Sequence, residues 1–320
     1  MDKETINKIM HQMSDVINNI QLMHLKRVLE NISANNEGDA DSEELLKRFI
    51  STKKLEGRSD RTLSYYKNTI DKLLAYINKD VRAISTDDIR QYLAYYEATS
   101  NASKTSIDNI RRNLSSFFNW LEDENYILKS PVRRVHKIKT ASVVKEAYTE
   151  DEMERLRDNC IEIRDLALID LLSSTGMRVG ELVLLNREDI DFEERECVVL
   201  GKGDKERVVY FDARTKLHLK EYLDTRTDAN EALFVGLRKP HNRITINAVE
   251  LRLRILGRTV GIKKCHPHKF RRTMASVAID KGMPIEQVQK LLGHEKIDTT
   301  LHYAMVKQSN VKNAHRKYIG

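Results

Sequence analysis

Four segments in the second half of the chain set strong cations beside neutral acid–base groups: Ser174-Thr-Gly-Met-Arg-Val-Gly-Glu-Leu182, Gly201-Lys-Gly-Asp-Lys-Glu-Arg207, His266-Pro-His-Lys-Phe-Arg-Arg-Thr273 and Leu291-Leu-Gly-His-Glu-Lys-Ile-Asp-Thr-Thr-Leu-His-Tyr303. Guanidinium groups are rigid forks of donors that fit phosphate oxygens, each charge-assisted bond contributing roughly 1.5–3 kcal/mol. Imidazole titrates near ~6.5 and exchanges protons at neutral pH. A phenol, with a pKa near ~10, is a poor nucleophile unless its surroundings help. These types together suit phosphoryl chemistry. Taken singly each segment is weak: an Arg after a Gly turn is commonly a surface residue, His-x-x-Arg a hydrogen-bonded pair, a hairpin Lys a solvated tip, and a Tyr on an amphipathic helix a core aromatic. A metal-dependent nuclease would need clustered carboxylates, which these segments lack, and no GxxxxGK[ST] loop is present.

The elements that must position these groups are mostly helices. Residues 1–38 have a helical apolar period at Ile6, Ile9, Met10, Met13, Val16, Ile17, Ile20 and Met23, which predicts a separate N-terminal helix ending in a turn-rich run. Four helical stretches follow, at about 42–56, 60–79, 86–98 and 103–123, with Asp60 and Thr86 as N-caps of two. Between Glu124 and Glu146 there is no acidic residue, while Lys129, Arg133, Arg134, His136, Lys137, Lys139 and Lys145 crowd around Pro131. That stretch, 127–148, reads as a basic interdomain linker. From Thr149 the chain is helical again except for two β-branched runs between Glu196 and Phe211, a hairpin with Lys202 at its tip. Pro284 fits the first turn of a helix that Gly293 closes, leaving His294 just beyond it, and Asp298 and Thr299 can cap the next helix.

With Lys+Arg 55 against Asp+Glu 48, the net charge of +7 permits an anionic partner without requiring one. The chain of 320 residues has room for two domains, and its 12 Gly and 4 Pro exclude a collagen-like or linker-dominated chain. No apolar run is long enough to span a bilayer and no apolar signal segment opens the chain, so a cytoplasmic, nucleoid-associated protein with no membrane partner is expected. Cys160, Cys197 and Cys265 are far apart and unpaired in CxxC motifs, which argues against a disulfide framework or a zinc site.

Taken in order, the four segments resemble the tyrosine recombinase (phage integrase) family. Thr175-Gly-Met-Arg178-Val-Gly-Glu181-Leu matches its first arginine box, Gly201-Lys202-Gly its hairpin lysine, His268-Lys-Phe-Arg271 its His-x-x-Arg box, Leu292-Gly293-His294 its Leu-Gly-His box, and Tyr303, nine residues after His294, its nucleophile. Phe270 replaces the usual Leu, and Arg272 stands where a second His is frequent. The resemblance implies a mainly α fold with a small β-hairpin or sheet, arranged as a two-domain DNA clamp. The expected parts are an N-terminal helical extension (1–40), a helical, SAM-like core-binding domain (41–126), the linker (127–148) and a mixed α/β catalytic domain with a C-terminal tail (149–320). Arg178, Lys202, His268, Arg271, His294 and Tyr303 are the implied catalytic residues. Arg178 and Arg271 would clamp the phosphate, His294 add a donor, His268 accept the phenolic proton and Lys202 protonate the departing 5′-oxygen, with Glu181 orienting the arginine or a histidine. No cofactor and no metal are implied.

The reaction so implied is site-specific recombination (integration and excision, or resolution) through a 3′-phosphotyrosyl intermediate and a Holliday junction. It would run in a homotetramer on two double-stranded DNA sites, assembled from a chain that can be a monomer in solution, with room for an accessory DNA-bending protein or partner recombinase. The expected DNA contacts are Arg61, Lys104, Arg111, Arg112, Arg133, Arg134, Lys269 and Arg272. Residues 304–320 would pack on a neighbouring subunit or in cis. The competing readings are a type IB topoisomerase-like relaxing enzyme and a non-catalytic DNA-binding protein of the same fold.

Overall fold

Short polar side chains decide where the helices begin. The computed structural model describes residues 3–34, 41–139, 146–201 and 206–301, and the chain divides into two compact units, Met1–Val143 and Val144–Gly320. In the first unit, α1 (Lys3–Met13) and α2 (Asn19–Ala34) replace the single N-terminal helix expected. The break has a local cause that apolar periodicity does not register. Asn18 accepts from Gln21 N (2.9 Å) while Gln21 Oε1 accepts from Asn18 N (3.2 Å), which starts a new helix. Helices α3 (Ser42–Leu55), α4 (Asp60–Ile77), α5 (Thr86–Ser100) and α6 (Lys104–Asp123) follow. Their caps are Asp41, Ser59, Ser85 and Ser103. Ser59 and Ser85 thus cap where Asp60 and Thr86 were expected, one residue earlier in each case. Leu45, Phe49, Ile70, Leu73, Leu114 and Phe117 are fully buried between these helices, and the Phe49 and Phe117 rings meet edge to face at 5.2 Å.

Much of the stretch expected to be a linker packs on this unit. Pro131 and Val132 are buried, and Pro131 O accepts from Thr86 Oγ1 at 2.8 Å. Ile138 N donates to Asp108, a buried carboxylate on α6 that also takes Arg111 Nε at 2.9 Å and Arg112 Nε at 3.1 Å. Burial opposes ionisation of Asp108, but these donors outweigh it and hold its carboxyl below the usual range.

The second unit contains α7 (Glu150–Asp158), α8 (Ile163–Thr175), the short α9 (Val179–Leu182), α10 (Ala213–Asp224), α11 (Ile246–Thr259), α12 (Pro267–Asp280), α13 (Ile285–Leu292) and α14 (Ile297–Leu301). Three antiparallel strands, β1 (Ile190–Asp191), β2 (Glu196–Leu200) and β3 (Glu206–Tyr210), form the sheet in sequence order. The expected hairpin is β2–β3, with Val198 opposite Val208; β1 is an addition that two residues are too short to announce. Cys197 and Val209 face each other and are buried on the inner side. Helix α8 packs against α10 and α12 and is buried along most of its length. Pro284 lies just before α13 rather than inside its first turn, and Asp298 and Thr299 lie within α14 rather than ahead of it. Among the described residues no helix is long and apolar enough to cross a membrane.

Candidate active site

Two glycine turns deliver the cationic groups to one place. Helix α8 ends at Gly176, whose φ of 62° is the left-handed conformation that closes a helix. A Cβ there would lie 2.2 Å from Met274 Cε, the movable end of a flexible side chain, so it is the left-handed backbone that calls for glycine. The chain then turns so that Arg178 precedes α9, and its backbone N donates to Glu181 Oε2 at 2.7 Å. Arg178 Nη1 donates to Glu181 Oε1 at 2.7 Å, and Nη2 to Gly293 O at 3.3 Å. The Arg178 side chain keeps 38% of its surface exposed.

Arg271, on α12, is by contrast only 1% exposed. Its Nη1 donates to Gly176 O (2.8 Å), and its Nη2 to Leu292 O (2.5 Å) and to His294 Nε2 (2.9 Å). His294 follows Gly293, the left-handed residue (φ 64°) that ends α13, and its Nδ1 lies 2.9 Å from Thr300 Oγ1. Desolvation, then the charges of Arg271 and Arg178, lower its pKa to about 4, so the ring is neutral at pH 7. A guanidinium only donates, so Nε2 accepts from Arg271 and Nδ1 carries the proton toward Thr300. The donor expected of His294 is therefore its Nδ1–H, which here faces Thr300.

His268 stands in the first turn of α12, one helical turn before Arg271, and is exposed. Met177, Arg178, His268 and Arg271 line one part of a cleft of about 610 Å³. The exposed cations Arg254 and Arg258 of α11, with Lys263 and Lys264 after it, line another part, where Glu250 is the one carboxylate among the lining residues. None of these four stands in the four chemical segments, although the Arg254–Arg258 spacing of about one helical turn marks a shared face. Lys202 and Tyr303, and the tail that follows, lie outside the described residues. Among the described residues no group of three or more His, Cys, Asp or Glu could hold a metal ion.

The expected DNA contacts are not equally available. Arg61, Lys104, Arg112, Arg133 and Arg134 are exposed, Arg112 bonding Asp108 and Arg133 bonding Glu122 Oε1 at 3.2 Å. Arg111 is largely covered where it meets Asp108, with 14% of its side chain exposed. Arg272 is half-buried and donates to Glu146 O at 2.8 Å. Lys269 is a correction: it is buried, with its ammonium 4.1 Å from the Tyr148 ring centroid and 3.5 Å from Glu152 Oε2. Its partners here are intramolecular, a cation–π contact and an ion pair, rather than the open surface position expected of it.

Comparison with known proteins identifies the family. Residues 146–310 match the model of the phage integrase family, and residues 45–128 match that of the phage integrase N-terminal SAM-like domain. Tyrosine recombinase XerC of Staphylococcus aureus (strain USA300 / TCH1516) is 31% identical over 286 residues, spanning 83% of this chain and 95% of the relative. Among solved structures, XerA recombinase is 29% identical with a TM-score of 0.50, covering 88% of this chain and 99% of that one. XerH site-specific recombinase bound to palindromic difH shares the fold with a TM-score of 0.68 at 19% identity, over 97% of this chain and 93% of that one. The chain belongs to the phage integrase family. It is a tyrosine recombinase, an enzyme of site-specific recombination that cleaves and rejoins DNA.

Proposed function

We propose that Tyr303 attacks a backbone phosphate of double-stranded DNA and becomes joined to the 3′ side of the break while the 5′-oxygen departs. The observation that carries this reading is the meeting of Arg178, Arg271 and His294 at the Gly293 turn, with Arg178 and His268 open to one basic cleft. Donors fixed where charge builds on the non-bridging oxygens are usually the largest catalytic contribution, and here helix ends and buried bonds hold them in advance. His268, exposed and near the clamp, takes the phenolic proton. Lys202 gives a proton to the leaving oxygen. The phosphotyrosyl bond keeps the energy of the broken phosphodiester, so rejoining needs no nucleotide hydrolysis.

Two such exchanges through a Holliday junction, in a tetramer on two sites, complete recombination. The helical unit bearing Arg61, Lys104, Arg112, Arg133 and Arg134 and the catalytic unit bearing Arg254, Arg258, Lys263 and Lys264 grip the duplex phosphates. Phosphate contacts of this kind position the enzyme, while base contacts choose the site. The test is a nicked duplex carrying the native site, incubated and then denatured. Wild type retains a covalent adduct and Tyr303→Phe does not, at nearly equal DNA affinity. Adduct formed equally on random duplex favours DNA relaxation, and absence of adduct on any native flank favours a binding protein without catalysis.

A further inference from the structure

The last three carbonyls around the end of α13 are each bonded by a different arginine: Leu291 O accepts from Arg207 Nε at 3.1 Å, Leu292 O from Arg271 Nη2 and Gly293 O from Arg178 Nη2. A helix end leaves such carbonyls without intrahelical donors and concentrates partial negative charge there, which favours cations. Arg178 and Arg271 already belong to the proposed clamp. Arg207, on β3, does not, and its side chain is only 12% exposed.

Arg207 also pairs with Glu181 in a two-bond fork, Nη1 to Oε1 at 2.8 Å and Nη2 to Oε2 at 2.7 Å. Each Glu181 oxygen therefore takes one bond from Arg207 and one from Arg178, which uses the acceptor capacity of the carboxylate. A Cβ on Gly293 would stand 3.0 Å from Arg207 Cδ and 3.2 Å from its Nε, so the guanidinium stem packs directly on the turn that precedes His294. One side chain thereby ties the strand leaving the Lys202 hairpin to the segment that aims Arg178 and to the turn that presents His294.

We infer that Arg207 is a positioning residue for cleavage: acting through Glu181 and Gly293, it fixes the direction of Arg178 without touching the DNA. This inference rests on Arg178 being the phosphate clamp. Lysine at 207 keeps the charge but not the fork, so Arg178 loses its fixed partner and the clamp loosens. Adduct formation by Arg207→Lys in single turnover at saturating DNA falls about 10- to 100-fold, the range that outer-shell partners of a reacting centre typically carry, with DNA affinity within about threefold of wild type.

A second substrate separates this role from a general structural one. When sulfur replaces the bridging 5′-oxygen, the P–S bond breaks and a thiolate leaves without needing a proton. A defect in leaving-group protonation, as in Lys202→Ala, is then relieved, whereas a defect in the clamp remains. Arg207→Lys and Arg207→Gln are expected to stay impaired on the sulfur substrate by the same factor as on the oxygen substrate. Relief by sulfur overturns the inference, because Arg207 would then act through the hairpin lysine. Wild-type rates for both variants overturn it equally. Persistence of adduct in Tyr303→Phe instead removes the underlying reading and is scored separately. A variant whose thermal transition is lost is replaced by Glu181→Gln, which interrupts the same path and is expected to give the same substrate pattern.

Discussion

Arg271 Nη2 lies 2.9 Å from His294 Nε2, and this contact fixes the histidine as an acceptor whose proton points toward Thr300. The two residues sit on different elements, α12 and the turn after α13, so their bond joins the His-x-x-Arg box to the Leu-Gly-His turn. It also sets the ionisation of the ring.

His294 has a pKa lowered from 6.5 to about 4, first by burial and then by Arg271 and Arg178, with smaller contributions from His268 and Arg207. Between these two values the unfolded chain binds more protons than the folded one, so stability falls as pH drops from 6.5 toward about 4 and is independent of this group above 6.5. His294→Gln removes that component. Thermal unfolding of both proteins from pH 4 to 8 checks it: the wild type is expected to lose more stability than the variant across the window, and parallel curves contradict the assignment.

Gly293→Ala places a Cβ against Arg207 and forces alanine into the left-handed region at φ 64°. The conformational cost alone is about 1–2 kcal/mol. Urea unfolding is expected to show at least that loss, together with slower adduct formation because Arg207 and His294 both shift. A variant as stable and active as wild type would mean that the turn tolerates a side chain.

Asp108 joins α6 to the residue where the chain leaves the helical unit. Asp108→Ala strips Arg111, Arg112 and Ile138 N of their acceptor and is expected to destabilise that unit by about 2 kcal/mol or more. Asp108→Asn keeps an acceptor and loses less. Equal stability for the alanine variant and wild type would show that the linker is not anchored there.

Salt dependence distinguishes true phosphate contacts from buried cations. Each neutralised phosphate contributes about 0.9 to the slope of log K against log salt. Arg254→Gln and Arg258→Gln are expected to reduce the slope by about one contact each, whereas Lys269→Gln leaves it unchanged and lowers the melting temperature. A slope change for Lys269→Gln would return that residue to the DNA surface.

Much of the site could be read from the chain because its parts have strong local signatures. Gly176 and Gly293 close helices in a conformation other residues avoid, and the β-branched runs at 196–211 select a hairpin. What the sequence left hidden depends on long-range partners. Arg207 stands in one of the four chemical segments, but its role appears only once Glu181 and Leu291 are adjacent. Lys269 stands between His268 and Phe270 in a segment rich in basic residues, yet helix geometry turns it inward onto Tyr148. The break at Asn18 and the caps at Ser59 and Ser85 are single-residue hydrogen-bond choices that an apolar period does not record.

The most direct measurement is peptide mapping of the covalent species trapped on the nicked native site, with and without a chelator. The expected result is one nucleotide-bearing peptide modified at Tyr303, formed equally in the presence of chelator. Modification of another side chain, or cleavage that stops when divalent ions are removed, contradicts metal-independent catalysis by the Tyr303 phenol.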